Sequence, residues 1–205
     1  MENDPTEIIG ISHYRRYFTT RREKSRYIRW GKMPEPLSED IIREKLEHKD
    51  IIVPVPERHI LHSNGYSYKI NHIWEDMEYV RDIISSDFPE YSRAFENMIS
   101  AKYMYYGNMF ICRRELFDSY LSWLFAVLTE LEPQIDLSKH PTPYQSRVFG
   151  FVSERLLQVY CGKNSLKMCE MPTYNTDSRF EQTFISADKL KGIIKRATNN
   201  HEYRS

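Results

Sequence analysis

Ile8-Ile9-Gly10-Ile11-Ser12-His13-Tyr14-Arg15-Arg16-Tyr17-Phe18 places four apolar or glycine residues directly before a cluster of cations and aromatics. Ile8 to Ile11 is short and rich in β-branched side chains, which predicts a buried strand of the kind found in the middle of a sheet. His13, Arg15 and Arg16 then follow at its carboxyl end, where open α/β sheets bind their ligands. A guanidinium fork there can take phosphate oxygens in pairs. Composition alone leaves a second reading open, a surface loop of solvated arginines packed on aromatic faces.

The next apolar run, Asp50 to Val55, predicts a second buried strand closed by Pro54 and Pro56. Between the two strands, Ser38 is placed to cap a helix that opens on Glu39 and Asp40 and carries Ile41, Ile42 and Leu46 on one side. Strand, helix and strand in succession predict α/β layers. From Thr19 to Pro36 the chain is basic and reads as a mobile loop. Asn64-Gly65 predicts a turn before an extended Tyr66 to Ile70. A helix from His72 or Ile73 to Ser85 would set His72 and Asp76 four apart on one surface, either as a pair lining a site or as an N-terminal helix hydrogen bond. A shorter helix covers Pro89 to Ser100.

Tyr103 to Cys112 reads as a strand interrupted at Gly107-Asn108, which marks either a close backbone approach or an ordinary turn. Glu115 to Glu132 is apolar round most of its circumference and predicts a buried core helix ended by Pro133. Arg147 to Tyr160 is a further helix with Val148, Val152, Leu156 and Val159 as its apolar stripe. Beyond Thr173 the chain is polar, with one weak helix around Asp188 to Ala197. Residues 1–175 therefore read as a single domain and 176–205 as a polar tail.

With 205 residues, one domain with a sizeable core is expected. The formal net charge is zero, from 29 basic and 29 acidic residues, so no global field recruits nucleic acid or an anionic membrane. Charge is local instead: His13 to Lys32 holds eight Lys or Arg against Glu23 alone. Tyr27 and Trp30 lie among those cations, which keeps a weaker reading open, a nucleic-acid or membrane-surface patch. Cys112, Cys161 and Cys169 have no metal-ligand spacing and suggest reduced thiols of a cytoplasmic protein. Met1 to Glu7 is unlike a signal peptide, and no apolar run approaches the roughly 20 residues of a bilayer span. The 15 Tyr, 10 Phe and 3 Trp suit stacking on sugar faces as well as a core.

His13-Tyr14-Arg15-Arg16-Tyr17-Phe18, directly after an apolar strand, resembles a signature of the bacterial capsular polysaccharide glycosyltransferases, a family long known only as a domain of unknown function. Three later stretches agree with that family in order and spacing: Asp50-Ile51-Ile52-Val53-Pro54; Asn108-Met109-Phe110-Ile111 leading into Glu115-Leu116-Phe117-Asp118-Ser119-Tyr120; and Arg147-Val148-Phe149-Gly150-Phe151-Val152-Ser153-Glu154-Arg155-Leu156-Leu157. The resemblance runs from residue 8 to about 160. It implies a GT-A-like nucleotide-sugar transferase fold with a mixed central sheet and a nucleotide-sugar donor, with galactofuranose among the sugars such a family transfers. It also implies a lipid-linked glycan acceptor, and hence a place in the cytoplasm or at the inner face of the membrane. Finally, it implies a strand-helix-strand unit ahead of the His13 motif that holds the donor's base and ribose. The expectation is therefore an N-terminally truncated domain, which keeps a catalytically inactive remnant or binding module open beside the enzyme.

Sugar transfer from a nucleoside diphosphate needs cations for the leaving diphosphate and a base for the acceptor hydroxyl. Arg15 and Arg16 suit the first task, with His13 as helper. The chain has no Asp-x-Asp pair, the usual holder of a divalent cation in this kind of fold, which favours transfer without a metal and leaves Mg or Mn open as cofactor. Glu154 is the expected base, because it lies about 200° round its helix from Val152, away from the apolar stripe. Gly150, one turn earlier, has no side chain to obstruct a ligand. A solvated Glu154 paired with a surface cation is the alternative. Tyr14, His72, Asn108, Met109, Arg147 and Gly150 complete the expected sugar and acceptor contacts.

Overall fold

In a computed structural model of the chain, the described residues are 7–20, 35–140 and 142–176. The chain divides into two units, residues 1–22 with 34–174 and residues 23–33 with 175–205. The first carries the fold, while the expected mobile loop (apart from its ends) and the weak helix at Asp188 to Ala197 lie outside the described residues.

The order of elements is Ile8–Ile11 (β1), Arg16–Phe18 (β2), Glu39–His48 (α1), Ile51–Pro54 (β3), Glu57–Arg58 (β4), Asn64–Asn71 (α2), Trp74–Asp87 (α3), Ser92–Ser100 (α4), Tyr103–Met104 (β5), Phe110–Arg113 (β6), Arg114–Leu131 (α5), Val148–Lys163 (α6), Met168–Met171 (β7) and Thr173–Asn175 (β8). This is a mixed α/β domain. Its main sheet has the order β1-β6-β3-β7, and two short ribbons join β2 to β8 and β4 to β5.

Strand β6 runs antiparallel to both β1 and β3, while β3 and β7 are parallel. Because Ile11 pairs with Phe110, the end of β1 lies beside the start of β6. Strand β3 shares the direction of β1, so it too ends there. The loop after β1, the turn before β6 and the segment after β3 therefore all leave the sheet at one end.

Side-chain alternation sorts the two faces of the sheet. Ile51, Val53, Phe110 and Cys112 join the large core with α3 to α6. Ile52 and Met109 face the other way, into a smaller core with Phe18, Leu46 and Met171 beneath α1. Helix α1 starts where expected, with Ser38 Oγ accepting from Ile41 N–H. Thr19 bridges to Pro36, and Leu37 N–H donates to Phe18 O at 3.0 Å, so the two ends of the basic stretch meet.

Several expectations change. β1 is an edge strand among the described residues, with Gly10 exposed, because an apolar run of four does not tell edge from centre. Asn64-Gly65 opens helix α2 instead of making a turn: Ser63 Oγ caps Tyr66 N–H, and Asn64 Nδ2 donates to Met98 O at 3.0 Å and Tyr103 O at 2.8 Å. Met104 and Phe110 belong to different sheets, separated at Gly107-Asn108. Helix α5 is buried on one face only, with Phe125 59% exposed. β7 and β8 fall in a region that carries no clear periodic signal.

Candidate active site

At the shared end of the sheet, the chain turns back after Ser12. Arg16 N–H donates to His13 O at 3.0 Å, and Ser12 Oγ donates to Arg16 O at 2.7 Å, which makes the motif a compact loop rather than a loose one. Within it His13 Nδ1 accepts from Arg15 N–H at 3.2 Å. The Arg15 guanidinium lies over the Tyr14 ring, 4.4 Å from its centroid, and donates to its hydroxyl. Tyr14 itself is 69% exposed, so one aromatic face stands at the rim beside a cation. Burial, together with the charges of Arg16, Arg15 and Arg147, holds His13 below its ordinary value, as a neutral imidazole near neutral pH.

The turn before β6 has consecutive left-handed residues, Gly107 at φ 99° and Asn108 at φ 50°. That conformation points the Gly107 N–H outward, where it donates to Glu154 Oε1 at 3.0 Å. A methyl on Gly107 would lie 3.0 Å from Arg16 Nη1, so the arginine crosses close over this turn. Asn108 Nδ2 donates to Gly150 O at 3.3 Å, and the space above Gly150 is open. Gly107 therefore marks a close approach.

The first turns of α6 supply the third wall. Arg147 precedes the helix with its guanidinium 5.8 Å from the Phe151 ring centroid. Glu154, one turn beyond Gly150, is half-buried; burial raises its carboxyl above the ordinary range, with the Gly107 N–H, Arg155, Arg16 and Arg147 all opposing. A carboxylate so placed is desolvated enough to be basic, and the surrounding cations keep it ionisable.

Sequence reasoning missed two residues here. Glu57, on the segment leaving β3, is exposed as a residue, yet its carboxyl is raised by the protein around it, lowered by Arg16 and raised by Glu154. A glutamate in a two-residue strand carries no signal of its own. Arg155 is buried over the Tyr68 ring at 4.5 Å, with Nη1 donating to Phe151 O at 2.7 Å. It stands next to Glu154 and was read only as part of the helix.

Two expected contacts are placed elsewhere. Met109 is 1% exposed in the core under α1, because alternation from Ile111 turns it away from the cleft, and it supports the turn from below. His72 is not on α3: it caps the end of α2, its ring 4.2 Å from that of Phe151 and 5.8 Å from that of Tyr144. Burial first, then Arg155, lowers its pKa to about 4. Asp76 pairs instead with His140, at 3.1 Å, and accepts from Tyr68 Oη at 3.3 Å.

Among the described residues, no group of three or more His, Cys, Asp or Glu is placed to share a metal ion. An open groove of about 650 Å³ lies at the opposite end of the sheet, between His48 to Asp50 and Leu166 to Lys167, and contains none of the residues above.

The mixed sheet, with these side chains gathered at one end, defines a mixed α/β domain. The chain belongs to the family described as Domain of unknown function (DUF4422), which matches residues 1–165. It is similar to the WbbM bifunctional glycosyltransferase in its apo structure, with a TM-score of 0.71 and 25% identity over 86% of this chain. That alignment covers 34% of the WbbM chain, so the present chain spans about a third of its length. No curated protein matches.

Proposed function

We propose that this domain transfers a sugar from a nucleoside-diphosphate donor to a lipid-linked saccharide of a surface polysaccharide. Arg16 and Arg15 meet the diphosphate, with neutral His13 as a hydrogen-bonding partner. Glu154 takes the proton of the acceptor hydroxyl. The observation that carries this reading is the Glu154 carboxylate, fixed through Oε1 by the Gly107 N–H at 3.0 Å with Arg16 crossing the same turn. Base and phosphate-binding cation thus face one space, and the open surface at Gly150 gives an acceptor room to approach.

Charge explains the division of labour. The diphosphate is anionic before transfer and gathers more charge as it leaves, so fixed guanidinium groups stabilise both states. We assign this charge to arginine in preference to Mg or Mn, since no Asp-x-Asp pair is present. The exposed Tyr14 ring is suited to stack on a sugar. Galactofuranose is the donor sugar we would try first, because the resemblance carried by the His13 to Phe18 motif implies it.

Transfer from a panel of nucleoside-diphosphate sugars to a lipid-linked saccharide tests the reading. Glu154→Gln is expected to keep donor binding and lower the rate by roughly 10²-fold, the usual contribution of a positioned base. Arg16→Ala should weaken both donor binding and turnover. Equal, small effects from both changes would mean that these residues are structural and that the chemistry lies elsewhere, whereas wild type that binds donor without transferring it would favour a binding module.

A further inference from the structure

We propose that the tip between β4 and α2, with the outer face of α2, seats on an anionic bilayer surface. This rests on the reading above for its purpose, since a lipid-linked acceptor must be met at a membrane. The observation, however, is independent of catalysis. Ile60 is 66% exposed, Leu61 79%, Tyr66 57% and Ile70 56%. Single exposed apolar residues are ordinary, but four within one eleven-residue segment are not.

These residues follow one another from the tip onto α2. His59 and His62 stack at 4.8 Å and present Ile60 and Leu61 between them, and His62 then packs 5.8 Å from Tyr66. Tyr66 and Ile70 are four apart on α2 and share a face. The exposure does not come from looseness. The opposite side of α2 is fixed by the Asn64 amide bonds to Met98 O and Tyr103 O, by Gly65 against Ile99 and by fully buried Tyr68.

Charge selects the occupant. Residues 58–73 contain Arg58 and Lys69 and no Asp or Glu. An apolar tip, an amphipathic tyrosine and cations without acids suit anionic headgroups with their acyl boundary beneath. Position agrees with this. Arg58 follows Glu57 directly in β4, and Tyr106 Oη lies 3.5 Å from His59 Nε2, two residues before Asn108. A bilayer at this tip would lie against the acceptor side of the cleft.

The test sediments the full chain with vesicles of phosphatidylcholine alone and of phosphatidylcholine with phosphatidylglycerol. Wild type should bind the phosphatidylglycerol vesicles, Ile60→Glu/Leu61→Glu should bind at least about tenfold more weakly, and Glu154→Gln should bind as wild type. Circular dichroism verifies folding, and Tyr66→Ser/Ile70→Ser serves as a second variant should the first not fold. Wild type failing to sediment would overturn the proposal. So would a tip variant that sediments as wild type, which would assign binding to the basic stretch Arg21 to Lys32, or self-association in light scattering that the tip variant abolishes. Vesicle binding without sugar transfer would leave this surface standing and remove the catalytic reading; transfer without vesicle binding would do the reverse.

Discussion

Gly107 holds three constraints in one residue: φ of 99°, an N–H on Glu154, and Arg16 Nη1 at 3.0 Å from where a methyl would stand. Gly107→Ala should therefore cost about 1–3 kcal/mol of stability and also push the arginine aside. Urea unfolding reads the first effect and calorimetric donor titration the second; a stable variant with normal donor affinity would show that the turn is not what positions Arg16. The cations here were legible in the sequence, because Arg15 and Arg16 follow an apolar strand directly. That Glu154 stands off the apolar stripe of its helix could be read from the angle between them. The surroundings of Glu57 could not, since Arg16 and Glu154 reach its carboxyl only in the fold. Met109 was misread for a similar reason: alternation settles its face only once the strand's start is known.

Among the elements, α2 was read least well. Asn and Gly together are the common signature of a turn, but here both are buried at a helix start, where the asparagine serves backbone carbonyls of other segments and the glycine admits α4. A methyl at Gly65 would lie 2.8 Å from Ile99 Cγ2 and 3.3 Å from Ile99 O. Gly65→Ala should thus destabilise the domain by about 1–3 kcal/mol, measured as a fall in the urea midpoint without change in slope. An unchanged midpoint would mean that α2 is free to move away from α4. By contrast, the Ser38 cap, β3 and the stripe of α6 were plain in the sequence, because local hydrogen bonding and period alone specify them. Helix α5 shows the limit of that signal: many apolar residues did not mean burial on every side.

For the whole molecule, strand direction gathers the cleft at one end of the sheet from three segments distant in sequence. What holds the segment entering α6 is less visible. Buried Asp76 and His140 meet at 3.1 Å, and His140 Nδ1 lies 3.0 Å from Asp136 O, which ties the connection ahead of Arg147 to α3. His140→Ala leaves the Asp76 carboxylate buried with Tyr68 Oη as its remaining hydrogen-bond partner, a change expected to cost about 3 kcal/mol. Urea unfolding measures it, and a loss below about 0.5 kcal/mol would show that the pair is dispensable. No reading of the sequence joined these two residues, because the nearer His72 offered a plausible local partner.

The central claim is that Glu154 acts as the base inside a cluster of fixed cations. The pH dependence of kcat in wild type and Glu154→Gln tests it most directly. Burial raises this carboxyl above its ordinary 4.5, and a base must be ionised to accept a proton. The wild-type rate should therefore rise with pH through an apparent pKa above 4.5. Glu154→Gln should be slower by roughly 10²-fold and should lose that acidic limb. A variant that keeps both the rate and the limb would contradict the assignment.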